Sequence, residues 1–132
     1  TLREIRPQLG LRCRLLAPMF ELGLSGQERA FGFHANTAET AWLLAAAPQY
    51  VSMADAVCEY CGRIEDPGEL RPERAPATMA WVTADLSKSG VMGDALAATP
   101  ELGAKWLDYG AGLYAAAIAE LAREGRRAAG LE

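Results

Sequence analysis

The stretch FHANTAETAWLLAAAP, residues Phe33–Pro48 of this 132-residue chain, predicts an α-helix with a recognisable start and stop. Asn36 is a favourable N-cap residue, and Glu39 three positions later completes a pattern typical of a capping box. The residues that follow are apolar on nearly all sides, which predicts a buried helix, and Pro48 ends it.

His34, the only histidine in the chain, stands just before this helix. A lone histidine is more often structural than catalytic, and Glu39 has a ready structural role as an acceptor for the backbone N–H of Asn36. If the chain turns at Ala35 and Asn36, however, His34 would lie over the helix N-terminus, within reach of the Glu39 carboxylate. Such a pair would hold the imidazole in one tautomer, as general acid–base catalysis requires. The residues alone leave both interpretations open.

The composition is that of one globular domain, with 51% hydrophobic and 23% charged residues. The formal net charge of -4 argues against nucleic acid or an anionic membrane as the main partner. No segment approaches the roughly 18 consecutive apolar residues that a membrane span needs. We therefore expect a soluble, cytoplasmic protein with neither kind of partner.

Cys58 and Cys61 form a C-x-x-C pattern, and Cys13 is the third cysteine. An odd number of cysteines does not make a disulfide framework. A zinc site would need further ligands nearby, and a thioredoxin-like site would need a helix directly after the pair. Reduced, structural thiols are therefore favoured, with a redox pair and a metal site as alternatives.

Strands are predicted on either side of the Asn36 helix. Residues 11–18, LRCRLLAP, alternate basic and apolar residues before turning apolar, which predicts a strand that reaches into a core. Residues 77–87, ATMAWVTADLS, predict a second strand through Trp81 and Val82. Between them, residues 62–76 are rich in glycine, proline and charge and predict a long irregular connection.

A helix is predicted at each end of the chain. The first covers TLREIRPQLG, residues 1–10, and we expect Pro7 and Gly10 to end it. The last begins where Thr99 caps Pro100, and an apolar stripe at spacings of three and four follows. Its expected end is at Gly125.

The chain begins with Thr1 in place of methionine and enters a helical pattern at once. An N-terminal threonine can act as a nucleophile with its own amine as base, but such residues normally begin a buried strand. A cut or truncated chain is the favoured interpretation, and self-processed hydrolase chemistry at Thr1 is the minor one.

Two segments resemble the creatininase family of amidohydrolases. Residues 34–51, HANTAETAWLLAAAPQYV, are similar to the family's H-A-G-x-x-E-T-S segment and the apolar helix after it. Residues 81–121, which begin WVTADLSKSGVMGD, are similar to its W-x-T-x-D-x-S-x-S-G-V-x-G-D segment and closing helix. Because residues 2–22 also look like the family's helix and strand before the active-site loop, the resemblance covers essentially the whole chain.

The resemblance implies an α/β fold, the C-terminal part of a three-layer creatininase-like architecture with a mostly parallel sheet. Residues 1–132 would be the C-terminal portion of a single domain whose N-terminal metal-binding half is absent from this chain. The family's divalent metal, zinc, manganese or iron, is held by Glu-x-His and Asn-Gly-His-x-Glu segments and an aspartate, and these segments do not occur here. We therefore expect a partner chain that carries the N-terminal half, in a homo- or hetero-oligomer.

The activity implied by the resemblance is metal-dependent hydrolysis of a C–N bond in a small amide or cyclic amide. Relatives include creatininase, a formamide hydrolase of cofactor biosynthesis and a peptidase. In the family, the histidine that opens the motif handles a proton near the scissile bond and the glutamate five positions later supports it. These roles fall on His34 and Glu39.

Four residues are expected to contact the substrate. Phe33 stands where many relatives have an acidic or small residue, and Asn36 replaces the usual glycine. Ser89 and Gly90 lie in a loop whose backbone N–H groups could meet an oxyanion, or whose glycines could simply permit a tight turn. The alternative to an enzyme is a non-catalytic creatininase-like subunit with a structural or regulatory role.

Overall fold

The computed structural model describes residues 1–10, 13–61 and 80–130, and the chain divides into two compact units. One unit comprises Thr1–Phe20 and Tyr109–Glu132, and the other comprises Glu21–Asp108. The α-helices of the described residues are α1 Leu2–Leu9, α2 Gly26–Phe31, α3 Thr37–Ala46, α4 Thr83–Leu86 and α5 Pro100–Ala128. Short 3₁₀ helices cover Pro48–Tyr50, Met53–Asp55 and Ala95–Ala97.

The sheet within the described residues has two short strands, β1 Cys58–Glu59 and β2 Gly93–Asp94. They pair antiparallel, with Cys58 opposite Asp94 and Glu59 opposite Gly93. The expected three-layer fold with a mostly parallel sheet is therefore wrong for the structure described here, which is mainly helical. The expectation depended on two strands, and neither forms where its residues are described.

The first of those strands was expected at residues 11–18. Its described part, Cys13–Pro18, has neither helix nor strand, and Leu15 is 80% exposed. Alternation of basic and apolar residues predicts a strand only where a neighbouring strand pairs with its backbone and a core covers its apolar face. Neither condition is met at these residues.

The second strand was expected through Trp81 and Val82. Val82 is extended, but α4 begins directly after it, because the carboxylate of Asp85 accepts the backbone N–H of Val82 at 3.0 Å and so starts a helical turn. Residues 77–79 of the expected strand and the irregular connection at residues 62–76 lie outside the described residues.

Three helices begin where the sequence predicts. Asn36 caps α3 through its side-chain oxygen, which accepts the backbone N–H of Glu39 at 2.9 Å. Thr99 caps α5 in the same way, accepting the N–H of Leu102 at 3.2 Å. The α1 prediction is also confirmed, and Gly10 ends that helix with a left-handed backbone.

Two predicted helix ends are wrong. Pro7 lies inside α1, and Gly125 lies inside α5, which continues to Ala128. Gly125 is followed by two arginines, which favour helix, and the left-handed glycine that follows α5 is Gly130 at φ +66°.

The core of the Glu21–Asp108 unit lies between α3 and the start of α5. One face of α3 is buried there against Trp106, while Leu43 on another face is 51% exposed, so the helix is buried on one side only. The buried residues of this cluster are Ala38, Ala41, Leu44, Ala98 and Trp106, and Trp42 packs against them. Gly103 lets the two helices meet, since a Cβ there would stand 1.9 Å from the carbonyl oxygen of Ala41.

The other unit is organised around the aromatic residues of α5. The ring of Phe20 packs edge-on against Tyr109 with 6.5 Å between centroids, and lies 6.2 Å from the ring of Tyr114. Arg14 forms an ion pair with Glu124 at 2.5 Å. Among the described residues of the whole chain, no helix is long and apolar enough to cross a membrane.

Candidate active site

The candidate site lies in the Glu21–Asp108 unit, at the turn between α2 and α3. Asn36 fixes this turn with both polar atoms of its side chain, because its amide nitrogen also donates to the carbonyl oxygen of Gly32 at 2.8 Å. An Asn36 side chain used in this way forms the cap of α3. Its expected contact with substrate stays a prediction.

Glu39 closes the turn from the helix side. Its carboxylate accepts the backbone N–H of Ala35 at 2.7 Å, one residue before the Asn36 N–H that a capping box would use. Ala35 has a left-handed backbone at φ +47°, which is unfavourable for a residue with a Cβ, and the hydroxyl of Thr40 donates to its carbonyl oxygen at 3.2 Å. Backbone strain of this kind is often concentrated at functional sites.

The backbone of His34 is fixed by hydrogen bonds, and its side chain is exposed. It pairs antiparallel with Met92, whose N–H donates to the carbonyl oxygen of His34 at 2.8 Å. The imidazole Nδ1 lies 4.0 Å from a carboxylate oxygen of Glu39, and the two side chains are 64% and 46% exposed. The turn therefore brings the two expected catalytic residues to ion-pair distance, at a place that solvent and a small molecule can reach.

Phe33, the residue before His34, is half-buried. Its ring lies 5.7 Å from the ring of Trp81, and both pack against the buried cluster of Cys61, Leu86 and Met92. The expected contact of Phe33 with substrate stays a prediction.

Ser89 and Gly90 lie in a loop that Glu59 of β1 holds. The Glu59 carboxylate accepts the backbone N–H of Lys88 at 2.6 Å and that of Ser89 at 3.0 Å, and also the Ser89 hydroxyl. These hydrogen bonds, the Ser89 hydroxyl first, lower the pKa of Glu59 to about 2. Gly90 has φ +91° and donates its N–H to the hydroxyl of Ser87 at 2.9 Å.

The Ser89–Gly90 loop leads directly to Met92, the residue that pairs with His34. The loop and the His34 turn are therefore connected through one backbone pairing. In this structure the N–H groups of Lys88 and Ser89 are bound to Glu59, so binding of a substrate by the loop stays a prediction.

Glu28 is the residue of this region that the sequence analysis missed. Its side chain is buried, with the residue 3% exposed, and its carboxylate accepts the backbone N–H of Thr37 at 2.7 Å and the hydroxyl of Tyr60 at 2.7 Å. Ser25 and Glu28 have the S-x-x-E spacing of a capping box, and Ser25 does cap α2. That pattern predicts an exposed carboxylate at a helix start, so the burial of the Glu28 carboxylate could not be predicted from it.

The C-x-x-C pair lies close to this carboxylate. Cys61 is buried and Cys58 is exposed at the start of β1. Partial desolvation of the sulfur, followed by the negative charge of Asp94, raises the pKa of the Cys58 thiol, and burial and then Glu28 raise the pKa of Tyr60. A raised thiol pKa disfavours the thiolate that redox chemistry needs, which is consistent with reduced, structural thiols.

The donor set of the described residues does not fit a divalent metal. Zinc and related catalytic ions need at least three protein ligands, drawn mainly from His, Cys, Asp and Glu. Across residues 1–10, 13–61 and 80–130, no group of three such side chains comes together. His34 and Glu39 form only a pair, and we therefore assign neither residue as a metal ligand.

Comparison with known proteins identifies the family. The family model described as creatinine amidohydrolase matches residues 3–118, which include the His34 turn, the Ser89–Gly90 loop and most of α5. No curated protein and no solved structure matches the chain. The matched family is one of amidohydrolases whose members are generally metal-dependent, and the expected resemblance is confirmed. The chain belongs to the creatininase family.

Proposed function

We propose that this chain is the C-terminal part of a metal-dependent amidohydrolase, which hydrolyses the C–N bond of a small amide or cyclic amide only when combined with the N-terminal half, with His34 as the proton shuttle and Glu39 as its support. Amide hydrolysis needs a proton donor, because an unprotonated amine nitrogen is a poor leaving group. An exposed histidine can take a proton from water and give it to that nitrogen.

One observation supports this proposal above the others: the 4.0 Å separation of His34 Nδ1 from the Glu39 carboxylate, inside the region that the creatininase model matches. The carboxylate is itself oriented by the N–H of Ala35, and a closer approach with substrate bound would let it hold the imidazole in one tautomer. Catalytic contacts of this kind are often long before substrate is bound.

The metal expected for this family is not part of the proposed role of these residues. The described donors do not fit a divalent ion, so we propose that zinc, manganese or iron is held mainly by the N-terminal half that is absent from this chain. That a partner chain carries those ligands stays a prediction. Here, His34 and Glu39 position and move the proton, while Phe33 and the Ser89–Gly90 loop border the substrate.

The test compares wild type with His34→Gln, each assembled with the partner chain that carries the N-terminal half, on two probes, creatinine and formanilide, a small open-chain amide. We expect wild-type turnover of at least one probe and a fall in kcat of about 10²-fold or more in His34→Gln. Glu39→Gln should lower kcat as well. Glu101→Gln is the matched control, since Glu101 is an exposed acid in the first turn of another helix, α5, and its kcat should equal wild type.

Metal content and circular dichroism are measured on the same preparations and should not differ between wild type and His34→Gln. Equal kcat in wild type and His34→Gln would contradict the proposal. A wild-type protein that turns over neither probe would favour a non-catalytic, structural creatininase-like subunit.

A further inference from the structure

Glu28 joins three segments of the Glu21–Asp108 unit through one buried carboxylate. Besides Thr37 at the start of α3 and Tyr60 after β1, it accepts the backbone N–H of Asp94 in β2 at 3.2 Å. A buried carboxylate is costly unless every acceptor is used, and here three donors converge on it. The segments that carry these three donors indicate the role of Glu28.

Two glycines are required by the close approach of backbone to this carboxylate. A Cβ at Gly32 would stand 2.6 Å from the Glu28 carboxyl carbon. A Cβ at Gly93 would stand 3.1 Å from a Glu28 oxygen and 2.7 Å from the Cβ of Asn36. The backbone therefore packs closely against Glu28 at two places, Gly32 before the His34 turn and Gly93 in β2.

The His34 turn lies between the segments that Glu28 joins. Glu28 binds Thr37 at the end of the turn, and Asn36 binds Gly32 at its beginning, so both ends of the turn are fixed. Strand β2, which also contacts Glu28, follows Met92, and Met92 pairs with His34. The Thr37 hydroxyl donates to the carbonyl oxygen of Asp94 at 2.7 Å and joins the two sides.

We infer that Glu28 is a positioning residue, which holds His34 in place by fixing both the start of α3 and the strand next to Met92. The inference rests on the proposed function for its catalytic consequence alone. That Glu28 sets the position of the His34 imidazole follows from the contacts above and can be measured without any substrate.

Glu28→Gln is the direct test, because glutamine has nearly the same shape but only one acceptor oxygen. The hydroxyl of Tyr60 can rotate to accept from the new amide, but the backbone N–H groups of Thr37 and Asp94 cannot. With the amide oxygen at the Oε1 position, Thr37 keeps its acceptor and Asp94 keeps only the longer contact of 3.5 Å in place of the one at 3.2 Å. With the amide oxygen at the Oε2 position, Thr37 loses its acceptor. Either change reaches His34, through Met92 in the first case and through α3 in the second.

The readout is the NMR spectrum of the His34 imidazole in histidine-labelled protein, with His34→Gln used to assign the signal. A residue that only stabilised the fold would lower the midpoint of unfolding in Glu28→Gln and leave the His34 signal of the folded protein unchanged. We expect the signal to shift or broaden in Glu28→Gln and to stay in place in Glu21→Gln, a matched change at an exposed glutamate. An unmoved signal in folded Glu28→Gln would overturn the inference.

Tyr60→Phe covers the case in which Glu28→Gln does not fold, since it removes one of the donors and keeps the carboxylate. Its His34 signal should shift from that of wild type, and an unmoved signal would then overturn the inference. On the substrate that wild type turns over, Glu28→Gln should lower kcat about tenfold or more with KM unchanged. If His34→Gln proves fully active, the proposed function fails, while the NMR comparison still decides the role of Glu28.

Discussion

The carboxylate of Glu39 accepts the backbone N–H of Ala35 at 2.7 Å, and Ala35 has a left-handed backbone at φ +47°. A side chain in the first turn of α3 thus stabilises an unfavourable conformation in the residue next to His34. Glu39 therefore fixes the backbone next to His34, and its carboxylate also lies 4.0 Å from the His34 imidazole.

Replacing Ala35 with glycine tests this strain. Glycine adopts φ +47° without a Cβ penalty, so the free energy of unfolding of Ala35→Gly should be unchanged or higher by up to about 1 kcal/mol. The same replacement at Ala116, an exposed position inside α5, should lower it by about 1 kcal/mol. Urea unfolding measures both values. An equal loss in the two variants would show that Ala35 has an ordinary backbone.

Gly103 gives a prediction for the crossing of α3 and α5. A Cβ there would stand 1.9 Å from the carbonyl oxygen of Ala41, so Gly103→Ala should lower the free energy of unfolding by about 1–3 kcal/mol. Gly112 is the matched control, since it lies in the same helix with no atom within 4 Å of an added Cβ. Gly112→Ala should raise the free energy of unfolding by about 0.5–1 kcal/mol in the same urea experiment. A stabilising Gly103→Ala would refute the close crossing.

The low pKa of Glu59 makes the stability of the Ser89–Gly90 loop sensitive to acid. This pKa is about 2 in the folded protein against an ordinary value of 4.5, so the carboxylate contributes fully above pH 4.5, and its contribution is lost as the pH falls towards 2. Over that window the free energy of unfolding should fall more steeply in wild type than in Glu59→Gln. Ser89→Ala, which removes the largest cause of the shift, should fall in between. Parallel pH profiles for all three proteins would rule out the contact.

The sequence predicted the local parts of this fold well. The caps at Asn36 and Thr99 and the glycine after α1 each depend on a few neighbouring residues, and each forms as expected. The strands at residues 11–18 and 77–87 were wrong where they are described, because a strand depends on partners that are distant in sequence. Alternating residues near Leu15 carry no information about whether such partners are present.

In the candidate site, too, only the contacts between residues close in sequence could be predicted. That His34 and Glu39 meet was a possible result of one turn, and the turn at Ala35 brings them to 4.0 Å. Glu28 was not predictable, since its donors at Thr37, Tyr60 and Asp94 lie 9, 32 and 66 positions away along the chain. Only the folded chain brings them to one carboxylate.

The central claim is that His34 gives a proton to the leaving nitrogen of an amide. The measurement that tests it most directly is kcat/KM of the assembled wild-type and His34→Gln enzymes on formanilide and 4-nitroformanilide, which share one acyl group and differ in the basicity of the leaving amine. The nitro compound leaves with little help from an acid, so the loss caused by His34→Gln should be about 10²-fold or more for formanilide and much smaller for 4-nitroformanilide. An equal loss with both compounds, or none with either, would contradict the role of His34 as proton donor.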